Sequence, residues 1–308
     1  MRQTRKVAKA AKAKSPTSLL LQTFWTGNPL SRLERAALQS YVNQGYTVDL
    51  YTYNPLAEFK KRIPGPGIRV HDANEILPSE KLFQYKGRAA VGKREDAYAY
   101  LPFSDLFRFT MLYKKGGAWI DLDVFLTRPI PASLLARPYV FSAERTIQKG
   151  AYKKKEPEVV DMGFFKVPGP GDPLMSWILE RIPENLLELK TPFDYMTLYR
   201  KGIATLGLEK YVLPAEAFLP LNWWDVKESF APGAGDSDAC YPAKYGTEAF
   251  CVAQLKRRSV YGVHWFRAIL RKRGLLHERK ETEADTTNLY ERMIATIEDQ
   301  GGLRPHSL

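Results

Sequence analysis

The order of elements between residues 18 and 51 constrains this chain most. SLLLQTFW (18–25) is a short apolar run that reads as a buried strand. SRLE (31–34) is a Ser-x-x-Glu capping box that opens a helix running to about Gln44. YTVDLY (46–51) reads as a second strand, and GIRVHD (67–72), past the Pro/Gly-rich loop IPGPG (63–67), as a third. A strand–helix–strand start argues for an α/β chain: a mostly parallel sheet with helices packed on its faces.

The 308 residues suit one large domain, and 44% apolar content supplies an ample core. No run of eighteen apolar residues exists in the sequence, so nothing in it reads as a membrane span. Cys240 and Cys251 are eleven apart and match no metal spacing; they read as two ordinary thiols in a reducing compartment.

The net charge of +12 is uneven. The first sixteen residues hold six Lys/Arg and no acid, without the apolar stretch of a secretory signal. This tail reads as a solvated disordered end, or as an arm for a membrane surface, nucleic acid or organelle targeting. Between Lys256 and Lys280, nine Lys/Arg face one acid, Glu278. That run suggests a phosphate-bearing ligand, an anionic lipid surface or an acidic acceptor, or else a solvated helix face.

PFSDLFRFTMLYKKGG (102–117) is the clearest helix. Leu106, Phe109, Thr110 and Tyr113 form an apolar stripe, Ser104 is the expected N-cap, and Lys114, Lys115 and Gly116 end it. AWIDLDVF (118–125) follows as a strand, on which Asp121 and Asp123 share a face. Two like charges on one face repel unless a cation or a set of donors lies between them. Further strands are expected at 138–144 and 159–167. Helices are expected at 173–189, broken near Pro183, at 193–201, and as one amphipathic helix in the last thirty residues before a loose GGLRPHSL.

Three readings fit the paired aspartates. An EF-hand loop fails, because VFLTRP supplies none of the required later ligands. A phosphatase of the haloacid dehalogenase type is imitated by IDLDV and by GDSDA (235–239). There, however, KESFAPGAG is loop-like where an apolar strand is needed. The third is a nucleotide-sugar transferase, in which a divalent cation between the carboxylates offsets charge on a departing diphosphate. Hard oxygen ligands suit Mg²⁺ or Mn²⁺. On the preceding helix Asp105 and Arg108 are i, i+3 and share a face that Leu112 continues; it can present an acceptor and a fork of donors, or be an intrahelical ion pair.

SDLFRFTMLYKKGGAWIDLDVFLTRPI (104–130) resembles the core signature of the DXD-motif glycosyltransferases of GT-A fold, a group that includes α-1,4-galactosyltransferases, initiating α-1,6-mannosyltransferases and capsular polysaccharide transferases. FWTG (24–27) resembles the opening motif of that family, and VVDMGFFKVPGPGDPLM (159–175) its acceptor-side segment. The resemblance covers roughly residues 18–200 and implies a Rossmann-like, mostly parallel sheet in a single domain.

By the same resemblance, Trp25 stacks on the donor base, although a core tryptophan is a second reading. Asp105 and Arg108 hold the donor sugar, Asp121 contacts ribose or sugar, and Asp123 binds the metal. His264 in GVHWF adds a metal ligand or is a core histidine; His71, His277 and His306 have no comparable context. Asp161 stands where the family often has Asn, as an acceptor-side or stabilising catalytic group or as a structural residue. Trp223 and Trp224 suit a sugar platform and a core equally.

The implied function is transfer of a hexose, by default from a UDP-sugar, to a hydroxyl of a polysaccharide, lipid-linked glycan or protein. Retention is expected, with Mn²⁺ or Mg²⁺ as cofactor. The implied organisation is a basic tail (1–16), a GT-A domain (17–280) and a C-terminal helix and tail (281–308). The expected location is cytoplasmic, with peripheral membrane contact through the tail. The non-enzymatic rival is a basic binding module for membrane or nucleic acid, but no nucleic-acid motif accompanies the charge, so nucleic acid is not an expected partner.

Overall fold

The strands Leu20–Phe24 (β1), Thr47–Thr52 (β2) and Ile68–Asp72 (β3) follow one another as the alternation of elements predicts. A computed structural model of the chain describes residues 19–63, 65–83, 100–146, 158–186, 194–234, 240–241, 249–276 and 288–300. The basic tail, the acidic stretch GDSDA, His277, His306, the end of the basic run (277–280) and the final GGLRPHSL lie outside the described residues. Further strands are Gly117–Ile120 (β4), Val124–Leu126 (β5), Val140–Arg145 (β6) and Glu158–Val167 (β7). Three short ones follow: Cys240–Tyr241 (β8), Phe250–Cys251 (β9) and Gly262–His264 (β10).

One six-stranded sheet has the order β3-β2-β1-β4-β7-β6. β1, β2, β3 and β4 run parallel, β7 pairs antiparallel with both β4 and β6, and so it alone runs against the rest. This is the mostly parallel α/β sheet that the sequence implies.

Helix Arg32–Asn43 (α1) forms where the capping box places it: the Ser31 N–H donates to Glu34 Oε2 at 2.6 Å. After the short Leu56–Lys60 (α2) comes the long helix Leu101–Lys115 (α3), and then Ala132–Leu135 (α4), Pro173–Leu179 (α5), Tyr195–Thr205 (α6), Arg267–Lys272 (α7) and Leu289–Gln300 (α8). Strand residues alternate between two cores. Leu21, Val48, Leu50, Ala118 and Ile120 pack with α1, whereas Phe24, Tyr51, Trp119 and Phe165 pack with α3. Arg32 holds α8 through Glu291 at 2.6 Å and Glu298 at 2.9 Å, the form the expected C-terminal amphipathic helix takes.

Several local expectations are corrected. The strand expected at 118–125 is two strands with a turn between them, in which the Val124 N–H donates to the Asp121 carbonyl at 3.1 Å. Asp121 and Asp123 therefore adjoin across a turn and not by strand alternation. Tyr100, not Ser104, caps α3, and Ser104 lies in its first turn. The stripe on α3 is broader than expected: Phe109 and Thr110 are buried as expected, but Phe103, Phe107, Met111 and Leu112 are buried too, while Leu106 is half-buried and Tyr113 is exposed. The helix is covered by the sheet on one side and by α5 and α6 on another, so a single stripe cannot describe it. α5 ends at Leu179, well before residue 189.

Cys240 and Cys251 form a disulfide that joins β8 to β9, which corrects the reading of two separate thiols and removes the support it lent to a reducing compartment. Cross-linking a loop of this separation restricts the unfolded chain, an effect worth about 2–3 kcal/mol. Cys240→Ser is therefore expected to lose about that much in urea unfolding. A reductant should lower the wild-type midpoint and leave the variant unmoved; a wild type indifferent to reductant would refute the pairing. Among the described residues no helix is long and apolar enough to cross a membrane.

Candidate active site

β1 connects to β2 on one side and lies against β4 on the other, so a crevice opens at the carboxyl ends of β1 and β4. A cavity of about 530 Å³ occupies it, within the usual size for a small-molecule site. Its walls are the segment after β1 (Trp25 to Asn28), the start of α3 (Tyr100, Ser104, Arg108), the turn Asp121–Asp123, and α7 (Arg267, Arg271).

Arg108 is buried and joins these walls. It meets Asp105 at 3.1 Å and Asp121 at 3.2 Å, donates to the Met162 carbonyl at 2.7 Å, and its guanidinium carbon lies 4.8 Å from the Trp119 ring centre. Asp121 also accepts from the Trp119 indole N–H at 2.7 Å, and its carbonyl from the Tyr41 hydroxyl at 2.6 Å. The predicted pairing of Asp105 with Arg108 is thus present and extends to Asp121, although Asp105 itself stands behind the cavity wall.

Asp123 turns its two oxygens to different partners. Oδ2 accepts the Arg267 backbone N–H at 2.8 Å, and Oδ1 lies 3.2 Å from Nε2 of His264. His264 arrives on β10, which pairs with β5 so that His264 stands opposite Val124. Its ring stacks on Phe266 at 4.4 Å, and its Nδ1 lies 3.9 Å from Asp161 Oδ2. Asp161 accepts from the Gly163 N–H at 2.7 Å and from Ser142 Oγ at 3.2 Å. It sits on the far side of His264 from Asp123 and does not line the cavity. Any β-carbon on Gly163 would come within 2.9 Å of that carboxylate and 3.2 Å of the imidazole, so only glycine leaves both in place.

One ligand atom each from Asp121, Asp123 and His264 lie within 4.8 Å of one another. Two carboxylates and an imidazole form a donor set suited to a divalent ion such as Mn²⁺. Burial alone would lower the His264 pKa, but Asp123, Asp161 and Asp121 push it up to about 10. Burial opposes ionisation of Asp123 too, yet His264 and the Arg267 N–H hold it below the usual carboxylate range. Asp121 is pushed up to about 6, by burial and then by Asp123, against the pull of Arg108. A divalent ion at this place would have to displace the Nε2 proton of His264, and would then supply the positive charge that the imidazolium now gives to Asp123.

Asp105 is pushed up to about 7 by burial, against the pull of Arg108. Its folded-state pKa thus exceeds the unfolded value near 4, and its contribution to stability is present below that value and lost as pH rises through about 7. Asp105→Asn does not titrate. Relative to wild type it is expected to gain on the order of 2–3 kcal/mol between about pH 5 and pH 8, read by urea unfolding across that range. A difference independent of pH would contradict the assignment.

Other candidates fall elsewhere. Trp25 is half-buried at the cavity, its indole N–H bonded to the Asn28 carbonyl at 2.6 Å, and one ring face is covered by the Arg267 guanidinium 4.7 Å away. Trp224 is core, edge-on to Trp223 at 5.2 Å. His71 bonds Asp49 at 2.8 Å and stacks on Tyr51 at the sheet edge. The residues that sequence reading missed are Tyr100, Arg267 and Arg271. The two arginines lay inside the basic run, and their i, i+4 spacing on one helix face was the available signal.

No curated protein matches the chain. Among solved structures, it is similar to an apo structure of the bifunctional glycosyltransferase WbbM, at 13% identity over 97% of this chain and 53% of that one, TM-score 0.44. It is similar to an active-site mutant of LgtC, at 12% identity over 91% and 95%, TM-score 0.44. A third is a UDP-bound glycosyltransferase domain from the YGT toxin, at 12% identity over 89% and 81%, TM-score 0.33. Residues 94–199, about a third of the chain, match the family model described as capsular polysaccharide synthesis protein. The segment that carries α3, the turn Asp121–Asp123 and Asp161 thus has the sequence pattern of the capsular polysaccharide synthesis proteins.

Proposed function

We propose that this chain is a metal-dependent glycosyltransferase that moves a hexose from a nucleotide sugar, UDP-hexose by first choice, to a hydroxyl acceptor on a glycan, lipid-linked glycan or protein. The observation that carries this reading is the convergence of Asp121, Asp123 and His264 beside Arg108 and Trp25 at one cavity between β1 and β4. The family match of residues 94–199 supports glycan synthesis as the setting. A divalent cation, Mn²⁺ or Mg²⁺, held by Asp121, Asp123 and His264 would supply positive charge against the diphosphate that departs.

The chain's own groups have separate tasks. Trp25 offers an indole to the base at the end of β1. Arg108 holds Asp121 in place and gives the inner wall a fixed positive charge for sugar hydroxyls or phosphate, while Asp105 pairs with it from behind the wall. Asp161 places a carboxylate 3.9 Å from Nδ1 of His264, outside hydrogen-bond reach, and from there adds negative charge behind the imidazole; we keep for it the acceptor-side or stabilising part that the resemblance implies. Among the described residues the carboxylates that line the cavity, Asp121 and Asp123, are engaged by Arg108 and His264 and are assigned here to the cation. This suits retention, in which the departing phosphate oxygen can take the proton of the incoming hydroxyl. We assign peripheral contact with an anionic membrane to the basic tail.

The test is thermal melting with UDP, GDP and their hexose conjugates, each with and without Mn²⁺. A ligand at a hundredfold excess over Kd stabilises by about 2.7 kcal/mol. One nucleotide should do this only with the metal present. A melt that shifts with polyanions but with no nucleotide would favour a basic binding module instead.

A further inference from the structure

Glu34 is completely buried, yet it lies on α1 and not at the cavity. A buried carboxylate persists only when its oxygens are paired. One is used at once, since Oε2 takes the Ser31 N–H at the helix start. The other, Oε1, meets the Nε of Arg267, some 230 residues along the chain. Arg267 is the residue whose backbone N–H holds Asp123 and whose guanidinium covers one face of Trp25.

The chain takes an unusual path to place it. Phe266 has φ +50°, the single positive φ outside glycine among the described residues, and this turn brings Arg267 out of β10 and over the cavity. Among the described residues Nη1 and Nη2 of Arg267 make no hydrogen bond, and the side chain is 23% exposed where it lines the cavity. Arg271, one turn on, lines the same wall.

We propose that Glu34 is a positioning residue for ligand binding: by fixing Nε of Arg267 it presents the other two guanidinium nitrogens to a phosphate of a nucleoside diphosphate, beside the indole of Trp25. The inference rests on the nucleotide-sugar reading and names one of its determinants. Arginine suits the task because its planar fork keeps two donors free when a third is occupied, and lysine does not.

The experiment is calorimetric titration of the full chain with Mn²⁺, using UDP, uridine, GDP, guanosine and inorganic pyrophosphate. Glu34→Gln keeps the side chain's length and an acceptor for the Ser31 N–H. It should weaken the nucleoside diphosphate that binds by about tenfold, because Arg267 loses the ion pair that holds it, and leave its nucleoside within about twofold. Arg267→Gln should weaken it at least as much, and the double variant should be no weaker than Arg267→Gln alone.

Equal loss of nucleoside and diphosphate, no loss at all, or losses that multiply in the double variant would overturn the proposal. If Glu34→Gln does not fold, Arg267→Lys decides: it should lose diphosphate affinity and keep nucleoside affinity, and unchanged diphosphate binding refutes the idea. Should the wild type bind no nucleotide, the nucleotide-sugar reading falls, and pyrophosphate decides this one. A tenfold loss of pyrophosphate affinity in Glu34→Gln sustains it. Absent or unchanged pyrophosphate binding ends it.

Discussion

On the function proposed above, Asp123→Asn is expected to fold and to lose glycosyl transfer by about a thousandfold or more, which corresponds to roughly 4 kcal/mol of transition-state stabilisation. The reason lies in how Asp123 divides its oxygens. Oδ2 is committed to the Arg267 N–H, so the carboxylate has one oxygen, Oδ1, to share between His264 and a cation. Asparagine keeps the acceptor for Arg267 and nearly the same volume, which preserves the turn. It brings no negative charge, and a neutral amide is a poor ligand for a hard divalent ion. It also withdraws the main influence that raises the pKa of His264.

The melting shift that Mn²⁺ and a nucleoside diphosphate produce together should therefore vanish in the variant, while the melting point without ligand moves much less. Asp123→Ala should show the same loss of activity with a larger loss of stability, because the Arg267 N–H then has no acceptor. Transfer within tenfold of wild type for Asp123→Asn, measured at saturating donor and Mn²⁺, would remove Asp123 from the machinery and with it the metal reading.

The sheet and its site were legible to different depths, for physical reasons. α1 was placed almost to the residue because its capping box is a local device: Ser31 and Glu34 are three residues apart and answer each other. The strands β1 to β3 were legible through short apolar runs between turn residues. By contrast, the turn at Asp121–Asp123 reads as strand because Leu122 and Val124 are apolar and buried, and burial does not distinguish a turn under a core from a strand within it.

β10 is three residues long and is fixed only by its pairing with β5, well over a hundred residues earlier, so no window around His264 reveals it. Its role came from the resemblance and not from periodicity. Glu34 looked fully explained by its cap and Arg267 by its charged surroundings. That each completes the other depends on the fold alone. The disulfide was missed for a similar reason, since two cysteines in a long chain carry no pattern and only the β8–β9 pairing brings them together.

Gly116→Ala is expected to destabilise the protein by roughly 4 kcal/mol, the largest effect of any single methyl group added near the site. Gly116 ends α3 with φ +66° and ψ −161°, a region that essentially only glycine occupies, and this alone costs on the order of 1–3 kcal/mol in another residue. Space is the second difficulty. A β-carbon there would lie 2.3 Å from Gly169 Cα, 2.5 Å from its carbonyl carbon and 2.9 Å from Pro170 N. These are backbone atoms, and they are held: the Gly171 N–H bonds the Tyr113 carbonyl at 2.7 Å, tying that loop to the end of α3.

Gly117 is the control. It also has a positive φ, +86°, but a β-carbon there would meet only the end of a side chain, the Gln22 amide at 2.9 Å, and no backbone atom within 3 Å. Gly117→Ala should therefore cost the backbone strain and a weakened buried hydrogen bond from Gln22 to the Gly116 carbonyl, about 2–3 kcal/mol together. The contrast matters for the site, because β4 starts one residue after Gly116 and delivers Asp121 four residues later. The Gln22 amide also donates to the Gly116 carbonyl at 2.7 Å, so a shift of this turn is transmitted to β1 and the Trp25 wall. Urea unfolding should rank the wild type above Gly117→Ala, and Gly117→Ala above Gly116→Ala, with a drop in melting temperature of about 6 °C for the last. Equal stability of the two variants would mean that the loop at Gly169 and Pro170 yields freely, and that the α3–β4 turn is not what sets the position of the aspartates.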